Sequence, residues 1–214
     1  MMRKLFVAIL LSVFLPCLTG SDAVTAAEKL SHKPAVSASN ACDSWKDQIL
    51  YFVLIDRFCN GNRANDHEVD EKDLEGFHGG DIAGLIEKLD YLERLGVTGI
   101  WLSPFFTNRP DRFYKQQAYH GYWPHDFWTV DRRFGTEEEL VELRHQLQQR
   151  NHKLLLDMVV NHMGYNAPFI ETNPDWFNAG GEIKNWNDKE ELVNRSIFGL
   201  PDFASQKPVV KTFF

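Results

Sequence analysis

The stretch Asp157-Met-Val-Val-Asn-His162 follows Lys153-Leu-Leu-Leu156, so a single carboxylate interrupts an apolar run that stops at an amide and an imidazole. An imidazole can donate or accept a hydrogen bond near neutral pH, and carboxylate and amide side chains add fixed acceptors and donors. That combination suits the capture of a polar ligand, provided the residues are brought to one place. Two further polar clusters end apolar runs: Asp56-Arg57-Phe58 after residues 48–55, and Ser103-Pro104 after residues 97–102.

Three elements must position these groups. Residues 48–55 and 97–102 are short, continuous and rich in β-branched and aromatic side chains, which reads as strands buried on both faces. Residues 153–160 read as a third. Between the first two, Ile82, Leu85, Ile86, Leu89, Leu92 and Leu95 recur at helical spacing, with Asp81 as cap and Gly96 as stop. Between the last two, Thr136-Glu-Glu-Glu139 is a capping box ahead of Leu140, Leu143 and Leu147. The order strand, helix, strand, helix, strand implies a parallel sheet with right-handed crossovers. Ligands bind at the carboxyl ends of such strands, where Asn161 and His162 fall. The pattern suits a doubly wound sheet or the start of an eight-fold barrel.

Composition narrows the class. In 214 residues, 43% are hydrophobic and 25% charged, as in a globular protein. The net charge of −7, with no sustained Lys/Arg cluster, argues against nucleic acid as a partner. Residues 1–27 read as a signal peptide, with Arg3-Lys4 before an apolar run too short to span a bilayer and cleavage near Ala27. A secreted or periplasmic protein follows, with no membrane partner after cleavage. Residues 28–42 form a polar linker. In an oxidising compartment Cys42 and Cys59 are expected to pair, a bridge worth roughly 3 kcal/mol.

Six motifs in one order then carry a resemblance: Tyr51 with Asp56-Arg57-Phe58, Gly79-Gly80-Asp81, Gly99-Ile-Trp-Leu-Ser-Pro104, His120-Gly-Tyr-Trp123, the Asp157–His162 stretch, and Leu200-Pro-Asp-Phe203. Together they resemble the N-terminal part of the alpha-amylase family of glycoside hydrolases, from about residue 45 to the last. The resemblance implies the α/β class: the N-terminal portion of a (β/α)8 TIM barrel. Residues 43–162 would supply three strands and two helices, 163–204 a small inserted domain, and 205–214 the start of the third barrel helix. The substrate implied is starch or maltooligosaccharide, cleaved with retention. His120, Tyr122, Trp123, Asp157 and His162 would contact it, Tyr122 stacking on a pyranose face, since an aromatic ring covers the sugar's C–H face and leaves its hydroxyls to polar groups.

Calcium is the cofactor the resemblance implies. One site would use Asn60, Asn62, Asn65, Asp66, Asp81 and the Gly79 carbonyl, oxygen donors of the kind hard cations take; ordinary turns capped by Asn and Asp are the alternative for this loop. A second would use Asn161 and Asp202. The nucleophile and acid/base that a retaining mechanism needs would follow the fourth and fifth strands, so the chain is expected to be an incomplete and inactive part of such an enzyme. A transglycosylase or isomerase of the same family, and a non-catalytic carbohydrate-binding module of the same fold, are the alternatives.

Overall fold

The computed structural model describes residues 45–214. The expected signal peptide, the linker and Cys42 lie outside the described residues. Cys59 carries a free thiol 4.0 Å from the Asn60 carbonyl oxygen, so its expected bridge to Cys42 is not among the described contacts.

Three parallel strands, β1 (Leu50–Val53), β2 (Gly99–Leu102) and β3 (Lys153–Leu156), form a sheet in sequence order. Leu50 aligns with Gly99 and Lys153, and Val53 with Leu102 and Leu156. Between β1 and β2 lie α1 (Ile82–Glu87) and α2 (Leu89–Arg94); between β2 and β3 lies α3 (Glu137–Gln149). The single helix expected over 82–95 is kinked at Lys88, whose N–H is shared among the Gly84, Leu85 and Ile86 carbonyls. Such sharing is the tighter hydrogen bonding of a 3-10 turn, and it bends the axis. The capping box is present: Thr136 Oγ1 accepts from Glu139 N at 3.2 Å while Glu139 Oε2 accepts from Thr136 N at 2.8 Å. It starts the helix in register to bury Leu140, Leu143 and Leu147.

Two strand expectations need correction. β3 stops at Leu156, four residues early, after Asp157 N donates to the Leu102 carbonyl at 3.0 Å. Its neighbour β2 ends at Leu102 and runs into Ser103-Pro104, and a proline offers no N–H to continue the ladder. β1 and β2 are also covered on one face only: Val53, Ile100 and Leu102 are buried, whereas Leu50, Phe52 and Trp101 on the opposite face are each 43% exposed. Strand alternation sends these two sets to opposite sides, and among the described residues no element packs over the second.

Residues 163–204 contain short helical turns at Pro168–Thr172 and Pro174–Trp176 and the helix α4 (Lys189–Asn194); α5 (Pro208–Phe213) follows. Backbone pairing holds this segment to the end of β3, with Phe203 N donating to Asn161 O at 2.9 Å and Met163 N to Pro201 O at 3.0 Å. Phe203 and Val210 are buried, and Phe213 packs edge-on against Phe127, Trp128 and Trp176. No helix among the described residues is long and apolar enough to cross a membrane.

Candidate functional site

The site begins with the kink in the chain after each strand. Gly121, at φ +84°, lets the His120–Trp123 segment fold back against Pro104, where any Cβ would meet the Pro104 carbonyl oxygen at 2.1 Å. Within that turn Tyr122 N donates to His120 Nδ1 at 2.9 Å. Tyr122 Oη reaches the end of β3 and donates to Asp157 Oδ2 at 2.7 Å. His162 returns the connection, its Nε2 donating to the Tyr122 carbonyl at 3.1 Å. Four of the residues expected to touch a ligand are thereby tied into one cluster at the carboxyl ends of β2 and β3.

Burial sets their protonation. His120 has its pKa lowered to about 4, first by burial and then by His162 and Arg57 nearby. Burial also lowers His162, only partly opposed by the Tyr122 carbonyl. Both rings are therefore neutral near pH 7, and their partners fix the same tautomer with different atoms left free: His120 uses Nδ1 as acceptor and keeps a spare N–H on Nε2, while His162 spends its Nε2 N–H on Tyr122 and leaves Nδ1 as acceptor. Tyr122 is pushed up to about 12 by burial and by its bond to Asp157, so it remains a donor. The cluster offers a carboxylate, a phenol and two neutral imidazoles, the chemistry of a site for several hydroxyl groups.

Trp123 is placed differently. It is 9% exposed and packs with Ala118 and Leu200, its ring edge-on to His120 at 4.8 Å and to Tyr165 at 5.3 Å. It supports His120 from behind. The Asp56 and Ser103 clusters are also structural: Asp56 accepts from His78 N and Gly79 N, and Ser103 Oγ accepts from Ile55 N at 3.1 Å, locking the ends of β1 and β2 together.

The first expected cation site is partly assembled. Gly79, at φ +88°, brings its backbone so close that a Cβ would lie 2.5 Å from Asn60 Nδ2 and 2.8 Å from Asp66 Oδ1. Asn60 Oδ1 and Asn65 Oδ1 are buried without a hydrogen-bond partner. Asn60 Nδ2 donates to Asp66 Oδ1 at 2.8 Å. Asn62 instead caps a 3-10 turn, its Oδ1 accepting from Ala64 N. Asp81 accepts from Gly61 N, Asn62 N, Asn65 Nδ2 and Gly84 N, which uses both carboxylate oxygens twice. Among the described residues no three His, Cys, Asp or Glu side chains converge as a metal-holding group, so a cation here would rest on amide and carbonyl oxygens with Asp66.

At the second expected site, Asn161 and Asp202 lie on adjacent segments, joined by backbone pairing of His162 with Asp202. Their side chains turn to other partners. Asn161 Nδ2 lies 3.5 Å from His162 Nδ1, and the buried Asp202 carboxylate accepts from Asn178 Nδ2 at 2.8 Å. Burial raises the Asp202 pKa, partly offset by Asn178. Asn178 was not legible as a site residue, because nothing in Phe177-Asn178-Ala179 marks an asparagine that acts on a residue 24 positions away.

The profile of the family described as "Alpha amylase, catalytic domain" matches residues 52–192. The alpha-amylase mde5 of Schizosaccharomyces pombe is 41% identical over 141 residues, covering 65% of this chain and 27% of that protein. Two solved alpha-amylases align with it. One, from Anoxybacillus, is 44% identical with a TM-score of 0.74, covering 79% of this chain and 37% of that one. The other, from Geobacillus thermoleovorans and solved with acarbose, is 42% identical with a TM-score of 0.71, covering 79% and 36%. The chain spans well under half the length of each.

Proposed function

This chain belongs to the alpha-amylase family, and from that premise we propose that it forms the substrate-positioning part of an exported glycoside hydrolase acting with retention on α-1,4-glucans. The observation that carries this reading is the convergence of His120, Tyr122, Asp157 and His162 through hydrogen bonds of 2.7 to 3.1 Å at the carboxyl ends of β2 and β3. A glucose unit presents ring hydroxyls that both donate and accept. Neutral imidazoles that leave a donor free on His120 and an acceptor on His162, beside a carboxylate, can satisfy them without leaving a charge unpaired. The relative solved with acarbose supports a saccharide as occupant.

In this reading the chain's own residues bind and orient the sugar. Asp157 is held by Tyr122, His162 by the Tyr122 carbonyl, and His120 by Trp123, so the recognition groups are fixed before a ligand arrives. Preorganisation of this kind lowers the entropic cost of binding. The bond-breaking pair of carboxyl groups is not assigned to residues of this chain. Calcium fits the loop around Asn60, Asn65, Asp66 and Gly79, where two buried amide oxygens lack a partner. When bound it would brace that loop by neutralising oxygen donors.

Titration of maltotriose into the protein, followed by tryptophan fluorescence, tests the reading. Saturable binding that His162→Ala weakens at least about tenfold, the loss of one buried polar contact, is the expected result. A parent protein that binds no maltooligosaccharide, or a His162→Ala protein that binds as its parent does, overturns it.

A further inference from the structure

The Asp56-Arg57-Phe58 cluster holds a charged side chain that the reading above does not use. Arg57 is pinned within the segment that follows β1. Its Nη1 forms an ion pair with the buried Asp56 carboxylate, and its Nη2 donates to the Leu74 carbonyl at 3.0 Å and the Gly76 carbonyl at 2.9 Å. A guanidinium is a flat, rigid fork of donors, so acceptors in three fixed places set its orientation as well as its position. Against it lies the Tyr119 ring, whose centre is 3.8 Å from Arg57 Cζ. A cation so close to an aromatic face is held there by the negative charge density of the ring.

Tyr119 is joined to the candidate site by a turn. Gly121 N donates to the Ala118 carbonyl at 3.0 Å, so Tyr119 and His120 are the two central residues of one β-turn. Their rings meet edge-on with centres 5.4 Å apart. Ala118 is fully buried with Trp123 and Leu200, which fixes the start of the turn in the core. The two central residues share one peptide plane, so a displaced Tyr119 ring would swing the His120 imidazole with it. The direction of the spare Nε2 N–H of His120 therefore depends on what holds Tyr119. The Arg57 charge is also near enough to His120 to help keep the imidazole neutral, which leaves Nδ1 able to accept from Tyr122 N.

We infer that Arg57 is a positioning residue for sugar recognition: acting through Tyr119, it fixes the direction in which His120 presents its spare N–H to the ligand. The inference rests on the glucan reading above and deepens it, since the aim of a recognition group after β2 is set from the segment after β1.

Maltotriose affinity and the imidazole NMR signals of His120, measured in the parent, Arg57→Lys, Tyr119→Leu and the double variant, provide the test. Lysine keeps a charge beside Asp56, so the buried carboxylate is not left unpaired, but it lacks the flat face that meets Tyr119. Tyr119→Leu leaves the Asp56, Leu74 and Gly76 partners of Arg57 in place and carries the test by itself should Arg57→Lys fold poorly. Each single variant is expected to bind maltotriose about fivefold more weakly, the scale of one cation–π contact, and to shift the His120 signals. The double variant should bind no more weakly than either single one, because both changes break the same link. Losses that multiply in the double variant, or weakened binding with the His120 signals at their parental positions, overturn the inference. So does parental binding in Arg57→Lys. A parent that binds no maltotriose overturns the glucan reading instead, and the His120 signals in the variants then still decide whether Arg57 orients that ring.

Discussion

Tyr122 Oη donates to Asp157 Oδ2 at 2.7 Å, across 35 residues of sequence, and this bond joins the loop after β2 to the end of β3. It is the shortest side-chain link within the candidate site and it fixes the orientation of the only carboxylate there. Removing the hydroxyl leaves the ring and its stacking in place while freeing Asp157.

Tyr122→Phe is therefore expected to cost about 1–2 kcal/mol of stability, the scale of a hydrogen bond to a charged group in a partly solvated place. Urea unfolding at pH 7 measures it. Maltotriose binding should weaken as well, because Asp157 loses its fixed position, and unchanged values for both would show that the bond is idle.

Stability should depend on the His120 ring below neutrality. Its pKa falls from 6.5 to about 4 on folding, so between those values the unfolded chain binds a proton that the native state refuses. Stability is then fully present above pH 6.5 and declines as pH falls toward 4, by about 3 kcal/mol from this group alone. Denaturant unfolding at pH 7, 5.5 and 4.5 gives the slope. His120→Gln should flatten it, and a slope identical to the parent's would remove His120 as the cause.

Two aspartates near the first loop should respond differently to calcium. With the ion at about a hundred times its dissociation constant, the parent gains about 2.7 kcal/mol and its thermal midpoint rises by several degrees. Asp66→Ala should abolish the calcium response while leaving the midpoint without calcium nearly unchanged. Asp81→Ala should lower the midpoint under both conditions, because Gly61 N, Asn62 N, Asn65 Nδ2 and Gly84 N lose their shared acceptor. A calcium response in Asp66→Ala equal to the parent's would exclude the loop as the binding place.

Much of this arrangement is written in local pattern. The capping box at Thr136, the leucine spacing of α3 and the three apolar strands depend on neighbours within a few positions, so the sequence by itself determined the parallel order of β1, β2 and β3 and placed Asn161 and His162 at a strand exit. The six ordered motifs likewise pointed to the alpha-amylase family. What the tertiary structure alone decided are relations between distant residues. The end of β3 at Leu156 depends on Pro104 in the neighbouring strand, and the exposed face bearing Phe52 and Trp101 depends on which elements pack over the sheet. Asn178 acts on Asp202, and Trp123 packs against His120, only because folding brings separate turns together. Hydrogen bonding and burial act through space, and separation along the chain carries no record of them.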